Sequence, residues 1–319
     1  MKRLKNNIVA VLGMLVCGFG YAQQSVPVYE SYFISEEMLI NPSFAGDSEE
    51  VEFKLYHRQQ WKDFSKGPET TVASIHGNVI DRVGLGMYFL NDQNGNTRLN
   101  SFNIAASYHI PLGNPNVRQN GQFSFGTSMT FSGFRFGGVT ELPNDPLYEG
   151  ETNIFIPYLN FGGSIQYNGW MAGISVLDLA LAYNEPMVNE LEPSPVYFYG
   201  MAGKKFRITQ GFELEPVLMY RFNKEDRKQL DANLRAKMYS GNNAFWAGAN
   251  YRHDMSGDNS QGLTLSPMLG AEIGRLNFGF AYNIGLTDFA TESGDGWSIS
   301  VGYDIPNFFK PQMETIVED

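Results

Sequence analysis

From about residue 51 to residue 305 the chain alternates apolar and polar side chains in one long stretch after another. Residues 101–110 place Phe102, Ile104, Ala106, Tyr108 and Ile110 on one side of an extended backbone and Ser101, Asn103, Ala105, Ser107 and His109 on the other, because successive side chains of a strand point to opposite faces. Residues 122–132 set Phe123, Phe125, Met129 and Phe131 against Gln122, Ser124, Gly126, Ser128, Thr130 and Ser132. The stretches 230–238, 276–284 and 297–304 repeat the pattern. A period of two buries nothing as a helix, so the chain is read as all-β. The 24 Phe, 17 Tyr and 34 Gly suit many closely spaced strands.

Two architectures share this period. A soluble sandwich turns its apolar rows inward, whereas a membrane barrel turns them to lipid and keeps polar rows in its lumen. Strand length and connection length favour the barrel. About fourteen stretches can be drawn, the first near 51–60, the eighth near 195–205, the ninth near 209–222 and the last near 296–305. Most reach the roughly 9 to 11 residues a tilted strand needs to cross a bilayer. Long polar connections (Asn91–Arg98, Phe134–Ile154, Tyr183–Ser194, Asn223–Lys228, His253–Gln261, Leu286–Asp295) alternate with tight ones (Ile80-Asp81, Asn168, Phe206–Ile208, Ser240–Asn242, Gly274). Outer-membrane barrels have short periplasmic turns and longer outer loops. Pro111–Asn120 breaks the parity and is read as a periplasmic element. An even strand number closes the sheet without an edge and leaves both ends in the periplasm. Trp61, Trp170, Trp246, Trp297, Tyr251 and Tyr303 lie near strand ends, as interfacial girdles do.

The first residues agree with that address. Residues 1–22 open with Lys2, Arg3 and Lys5, run through apolar Ile8 to Phe19 and end in Gly20-Tyr21-Ala22, the layout of a secretory signal. The apolar run is too short for a membrane helix, which needs roughly 20 residues. Cleavage after Ala22 is expected. It takes Cys17, the single cysteine, with it, so the mature chain has no disulfide, thiolate metal site or Cys nucleophile. The reading divides the chain into a signal at 1–22, a periplasmic or lumen-plugging segment at 23–50, a barrel at 51–305 and an acidic periplasmic tail at 306–319.

Charge and motifs exclude other classes. With a net charge of -11 and a pI near 4.9, the chain lacks the clustered Lys and Arg that phosphate backbones require, so nucleic acid is not a partner. His57, His76, His109 and His253 show no H-E-x-x-H spacing and no Ser lies in G-x-S-x-G. No catalytic residue, metal site or cofactor is assigned. Asp92-Gln93-Asn94-Gly95-Asn96 echoes a calcium loop but lacks its distal Glu, and Asn94-Gly95 reads as a hairpin turn. Glu213, Glu215, Arg221, Asp231, Arg235, Lys237, Arg252, Glu272 and Asp304 fall on inward positions. Charges of both signs in one lumen are expected to pair and fill it.

Ahead of the first strand stand Ser31-Tyr32-Phe33-Ile34 and Met38-Leu39-Ile40-Asn41-Pro42-Ser43-Phe44-Ala45-Gly46. Next come His57-Arg58-Gln59-Gln60-Trp61, Gly67-Pro68-Glu69-Thr70-Thr71, Ile75-His76-Gly77, Val83-Gly84-Leu85-Gly86, and Asn91-Asp92 with Gly95. This order resembles the PorP/SprF family of type IX secretion system membrane proteins. The resemblance implies an outer-membrane barrel serving secretion, surface anchoring or gliding. It implies as partners the secretion machinery with a peptidoglycan-binding periplasmic protein, or the C-terminal signal domain of a large secreted adhesin, with outer-membrane lipid around the wall. Asn41, Pro42, Gly46, Arg58, Gln60 and Trp61 are the candidate docking residues, and Asn91, Asp92 and Gly95 the outer-loop candidates. A transporter for hydrophobic or small solutes, with the N-terminal segment as a plug, is the alternative.

Overall fold

The alternating stretches become strands, and each pairs antiparallel with its neighbour in sequence, so local hairpins build the whole wall. The computed structural model describes residues 32–63, 66–113, 121–136, 152–181, 196–257 and 260–309. The strands are β1 (Val51–Gln59), β2 (Glu69–Ile80), β3 (Val83–Asn94), β4 (Thr97–Pro111), β5 (Gly121–Phe136), β6 (Thr152–Tyr167), β7 (Trp170–Ala180), β8 (Tyr197–Lys204), β9 (Phe206–Thr209), β10 (Phe212–Asn223), β11 (Lys228–Ser240), β12 (Asn243–Asp254), β13 (Gln261–Ile273), β14 (Leu276–Gly285) and β15 (Gly296–Ile305). β1 also lies against β15, with Val51 opposite Ile305 and Gln59 opposite Trp297. The sheet therefore closes on itself and has no edge to aggregate or to leave unpaired in lipid. β8 and β9 both pair with β10 and share one place in the wall, so fifteen strands make a fourteen-stave barrel.

Exposure settles which way the rows face. Ile104 and Phe125 are 50% and 49% exposed, while their neighbours Asn103 and Ser124 are each 1% exposed. Ile299, Val301, Phe278, Phe280, Leu234 and Met238 are likewise outside, and Ser298, Asn283, Asn233 and Asp231 inside. An outer surface this apolar is stable only against acyl chains. Arg in place of Ile104, mid-way along β4, is therefore expected to cost about 2–4 kcal/mol of insertion free energy. Urea titration of folded protein in lipid vesicles measures it; a change under about 0.5 kcal/mol, the usual range for a water-exposed site, contradicts a lipid-facing row.

The structure corrects the sequence reading in three places. Phe206–Ile208, read as a tight turn, belongs to strand β9, and the turn ahead of β10 falls at Gln210-Gly211. Asn91 and Asp92 are not loop residues: they lie in β3, opposite Thr71 and Thr70 of β2, and Asp92 is buried. Only Gly95-Asn96 forms the turn, with Asn94 paired to Thr97 and Gly95 at φ +58°. Trp246 is no girdle residue. It points into the barrel, 7% exposed, with the Arg235 guanidinium 5.8 Å from its ring centre; Trp170, Tyr251 and Tyr303 do face outward. The opposite end holds tight turns such as Asn168-Gly169, both at positive φ, the primed geometry that matches strand twist. A short helix α1 (Asp288–Ser293) occupies the β14–β15 connection. The signal at 1–22, most of the 111–120 link and the tail from 310 lie outside the described residues.

The lumen is not the uniformly hydrophilic middle that alternation suggests. Tyr56, Val72, Tyr88, Leu90, Leu99, Phe134, Ile156, Tyr158 and Trp246 form a buried apolar cluster on inward rows. A second holds Leu177, Tyr197, Tyr199, Met201, Val217 and Met219. Both are completed by residues from before β1.

Candidate functional site

Residues 32–46 lie inside the barrel, in the half nearer the tight turns. The segment takes this place because part of the wall is bare. A Cβ at Gly162 would lie 1.9 Å from Asn41 Oδ1, one at Gly84 1.9 Å from the Ala45 carbonyl, and one at Gly126 2.4 Å from the Pro42 carbonyl. Glycine within a strand marks such close backbone approach. On this floor the chain makes two short 3-10 turns, Glu37–Leu39 and Pro42–Phe44. Asn41 caps the second, its Oδ1 accepting from the Ser43 N–H at 3.0 Å. Pro42 sits where a turn has no use for an N–H.

Polar contacts then fix the segment to at least five strands. Asn41 Nδ2 donates to the Gly163 and Ile174 carbonyls, both at 3.2 Å, so this fully buried amide ties β6 to β7. Ser43 Oγ donates to Ser164 Oγ at 2.9 Å and Ser175 Oγ donates to the Ile40 carbonyl at 2.6 Å. The Ala45 carbonyl accepts from Ser107 Oγ and from the His109 ring. Gly46, at φ +65°, donates its N–H to His76 Nδ1 at 3.0 Å. Apolar contacts add to these. Ile34, Met38, Leu39 and Ala45 complete the first lumenal cluster, and Tyr32, Ile40 and Phe44 the second. Burying side chains of the Ile, Leu, Met and Phe class stabilises by roughly 1.5–3 kcal/mol each, an upper estimate.

A charged cluster sits at the start of the segment. Glu36 receives the Lys54 ammonium at 3.3 Å and His76 Nε2 at 3.1 Å. Burial alone would raise its carboxyl; these two partners more than offset it and hold the group well below the usual carboxylate range. With Glu52, Glu36 and His76 have the spacing of a metal site, ligand atoms within 4.8 Å of one another. The ring is committed elsewhere. Because the Gly46 N–H can only donate, His76 Nδ1 is the acceptor and Nε2 carries the proton that points at Glu36. No lone pair faces the carboxylates, so the trio is a latch between segment and wall.

Asp47 behaves oppositely. Burial, then the nearby Glu37 and Glu52 carboxylates, push it up to about 7, with the Gln166 amide opposing from the wall. A carboxyl raised in the folded state favours folding while protonated, and that contribution fades as pH rises through about 7. Protection of the segment against an added protease is thus expected to fall between pH 6 and pH 8, values that bracket Asp47, and Asp47→Asn to flatten the profile. An unchanged slope in the variant contradicts this assignment.

Charges farther round the wall pair, as their inward placement implied. Arg235 bridges to Glu215 and lies 4.4 Å from the Phe33 ring centre. Lys237 meets Glu272 at 2.6 Å and Arg252 meets Asp231 at 2.7 Å.

A family model described as type IX secretion system membrane protein PorP/SprF matches residues 21–303. The chain belongs to the PorP/SprF family. It is an outer-membrane barrel of the type IX secretion system. No curated protein matches the sequence. Among solved structures it is similar to the CymD monoaromatic hydrocarbon channel, with TM-score 0.55 at 13% identity over 90% of this chain and 94% of that one. The Pseudomonas putida toluene transporter TodX gives 0.49 at 9% identity over 90% and 98%. The Ralstonia pickettii toluene transporter TbuX gives 0.48 at 9% over 84% and 92%. At such identity the likeness to CymD speaks for the barrel fold alone.

In this PorP/SprF barrel the motif residues separate into two groups. Asn41, Pro42 and Gly46 come together on the glycine floor. Arg58 is buried farther along β1, across Thr70 from Asp92, and Thr70 Oγ1 donates to Asp92 at 2.6 Å. Gln60 and Trp61 lie past the end of β1, at the long-loop end. There the Gln60 N–H donates to the Pro68 carbonyl, and Trp61 adopts φ +52°. The residues that alternation overlooks are the floor glycines and the lumenal aromatics. Their signal is a glycine or an aromatic on the row that should be polar.

Proposed function

We propose that this barrel works by binding, not by conducting solutes: its lumen is plugged by residues 32–50, its tight-turn face docks periplasmic secretion subunits, and its long loops meet a surface adhesin or its C-terminal signal domain. The observation that carries the reading is Asn41, fully buried and bonded at once to β6, β7 and its own turn. A segment that merely passed through an open pore would not be seated on bare glycine and anchored at both ends of a 3-10 turn. The paired charges around Arg235, Lys237 and Arg252 fill the lumen further, where a wide channel needs water.

The solute-transporter reading draws on the fold likeness to a monoaromatic hydrocarbon channel. Deletion of the gene tests the choice. Loss of an adhesin or another secreted protein from the cell surface, with uptake of small aromatic solutes unchanged, is the expected result. Lost uptake with intact surface proteins overturns it.

A further inference from the structure

Beside the segment, on the tight-turn side, a cavity of about 530 Å³ opens between Tyr32–Glu52 and the β6–β7 turn. Its acids outnumber the cations left to meet them. Lys54 is engaged by Glu36, and Arg235 and Lys205 by Glu215. Among the described residues Glu37 accepts only from the Tyr32 hydroxyl and Asp47 only from Gln166. Glu49 is exposed at the rim, and Glu52 has only the His76 ring. The Ser35 hydroxyl gives a second, independent sign. Ser35 is 4% exposed, lines the cavity, and its Oγ has no hydrogen-bond partner among the described residues, although buried polar atoms are as a rule paired.

We propose that this vestibule receives a Lys- or Arg-bearing peptide segment of a periplasmic partner. The inference rests on the binding reading above and gives its docking chemistry. A single metal ion fits poorly: among the described residues only Glu36, Glu52 and His76 bring ligand atoms within 4.8 Å of one another, and that trio is closed by its own hydrogen bonds. Glu37, Asp47 and Glu49 are spread round a space wide enough for extended side chains. The chain's own ends do not suit it. Residues 23–31 carry Glu30 and no Lys or Arg, and residues 306–319 carry Lys310 against Glu314, Glu318 and Asp319. The ends of the chain offer no surplus of cations, and complementary charge of this kind sets partner choice.

Affinity purification from native outer membranes tests it, using the wild-type chain, the Glu37→Gln/Asp47→Asn double variant, and Glu49→Lys, which alters only the exposed rim. The expected result is a periplasmic partner retained by wild type and lost from both variants. Equal recovery with the variants overturns the vestibule and leaves the binding reading standing. No partner with wild type overturns both. In parallel, barrels in lipid nanodiscs are titrated with a fluorescein-labelled Gly-Arg-Gly-Arg-Gly peptide. Saturable binding that weakens at least about tenfold in each variant supports the inference. Failure of the peptide to bind, or calcium binding with the peptide ignored, refutes it.

Discussion

Replacing Gly162 by Val is expected to turn a silent barrel into a conducting one in planar lipid bilayers. The new Cβ would fall 1.9 Å from Asn41 Oδ1, and the wall cannot retreat. Gly162 is held in register between Gly126 and Ser175, and barrel strands keep their ladders because lipid satisfies no freed backbone group. The segment must move instead. Overpacking of this kind costs roughly 1–3 kcal/mol, and losing Asn41 leaves the Gly163 and Ile174 carbonyls without its donor, roughly another 1–3 kcal/mol for each buried group not reached by water. Gly163→Ala is the control: a Cβ there meets nothing closer than the Ser124 carbonyl at 3.7 Å, and the barrel should stay closed. Equal conductance of wild type and Gly162→Val contradicts a lumen sealed by residues 32–46.

Arg252→Ala is expected to cost the barrel about 3–5 kcal/mol, because it strips the partner from a carboxylate that stays buried. Asp231 is fully buried, with Arg252 Nε at 2.7 Å and Gln229 Nε2 at 2.8 Å. Alanine leaves only the amide. Arg252→Met with Asp231→Leu removes both charges and should recover most of the loss, since an apolar pair of similar volume avoids the desolvation cost. Urea unfolding in vesicles reads both variants. A loss below about 1 kcal/mol for Arg252→Ala would place the pair among solvated surface bridges.

The wall was readable in the sequence because lipid and lumen make opposite demands on neighbouring residues. The contrast between Phe102, Ile104 and Ile110 outside and Ser101, Asn103 and His109 inside is that demand written out. Legibility failed where the two sides stop differing. Near the long loops the end of β3 turns polar on both faces, and Asn91 and Asp92 look like loop although they are paired strand. In mid-wall the reverse happens. Met87-Tyr88-Phe89-Leu90 is apolar on both faces because Tyr88 and Leu90 meet the lumenal core while Met87 and Phe89 meet lipid. The break between β8 and β9 at Lys205 leaves the alternation on either side intact and gives no signal of its own.

The candidate site was legible only in outline. Asn41-Pro42 and Gly46 announce a turn, yet nothing local says that its floor is Gly84, Gly126 and Gly162 from three different strands. Contacts across such separations are written in the fold, not in any one stretch. Gly126 did stand on the row that should be polar, and an inward glycine in a strand is the trace that close backbone approach leaves.

Binding at the tight-turn face is tested most directly by crosslinking in living cells. A photoreactive amino acid is placed at Asp81, in the β2–β3 turn, or at Asn242, in the β11–β12 turn, both exposed at that end. The account expects covalent adducts with periplasmic subunits of the type IX machinery from at least one position. A barrel present at normal level in the outer membrane that yields no adduct from either position contradicts it.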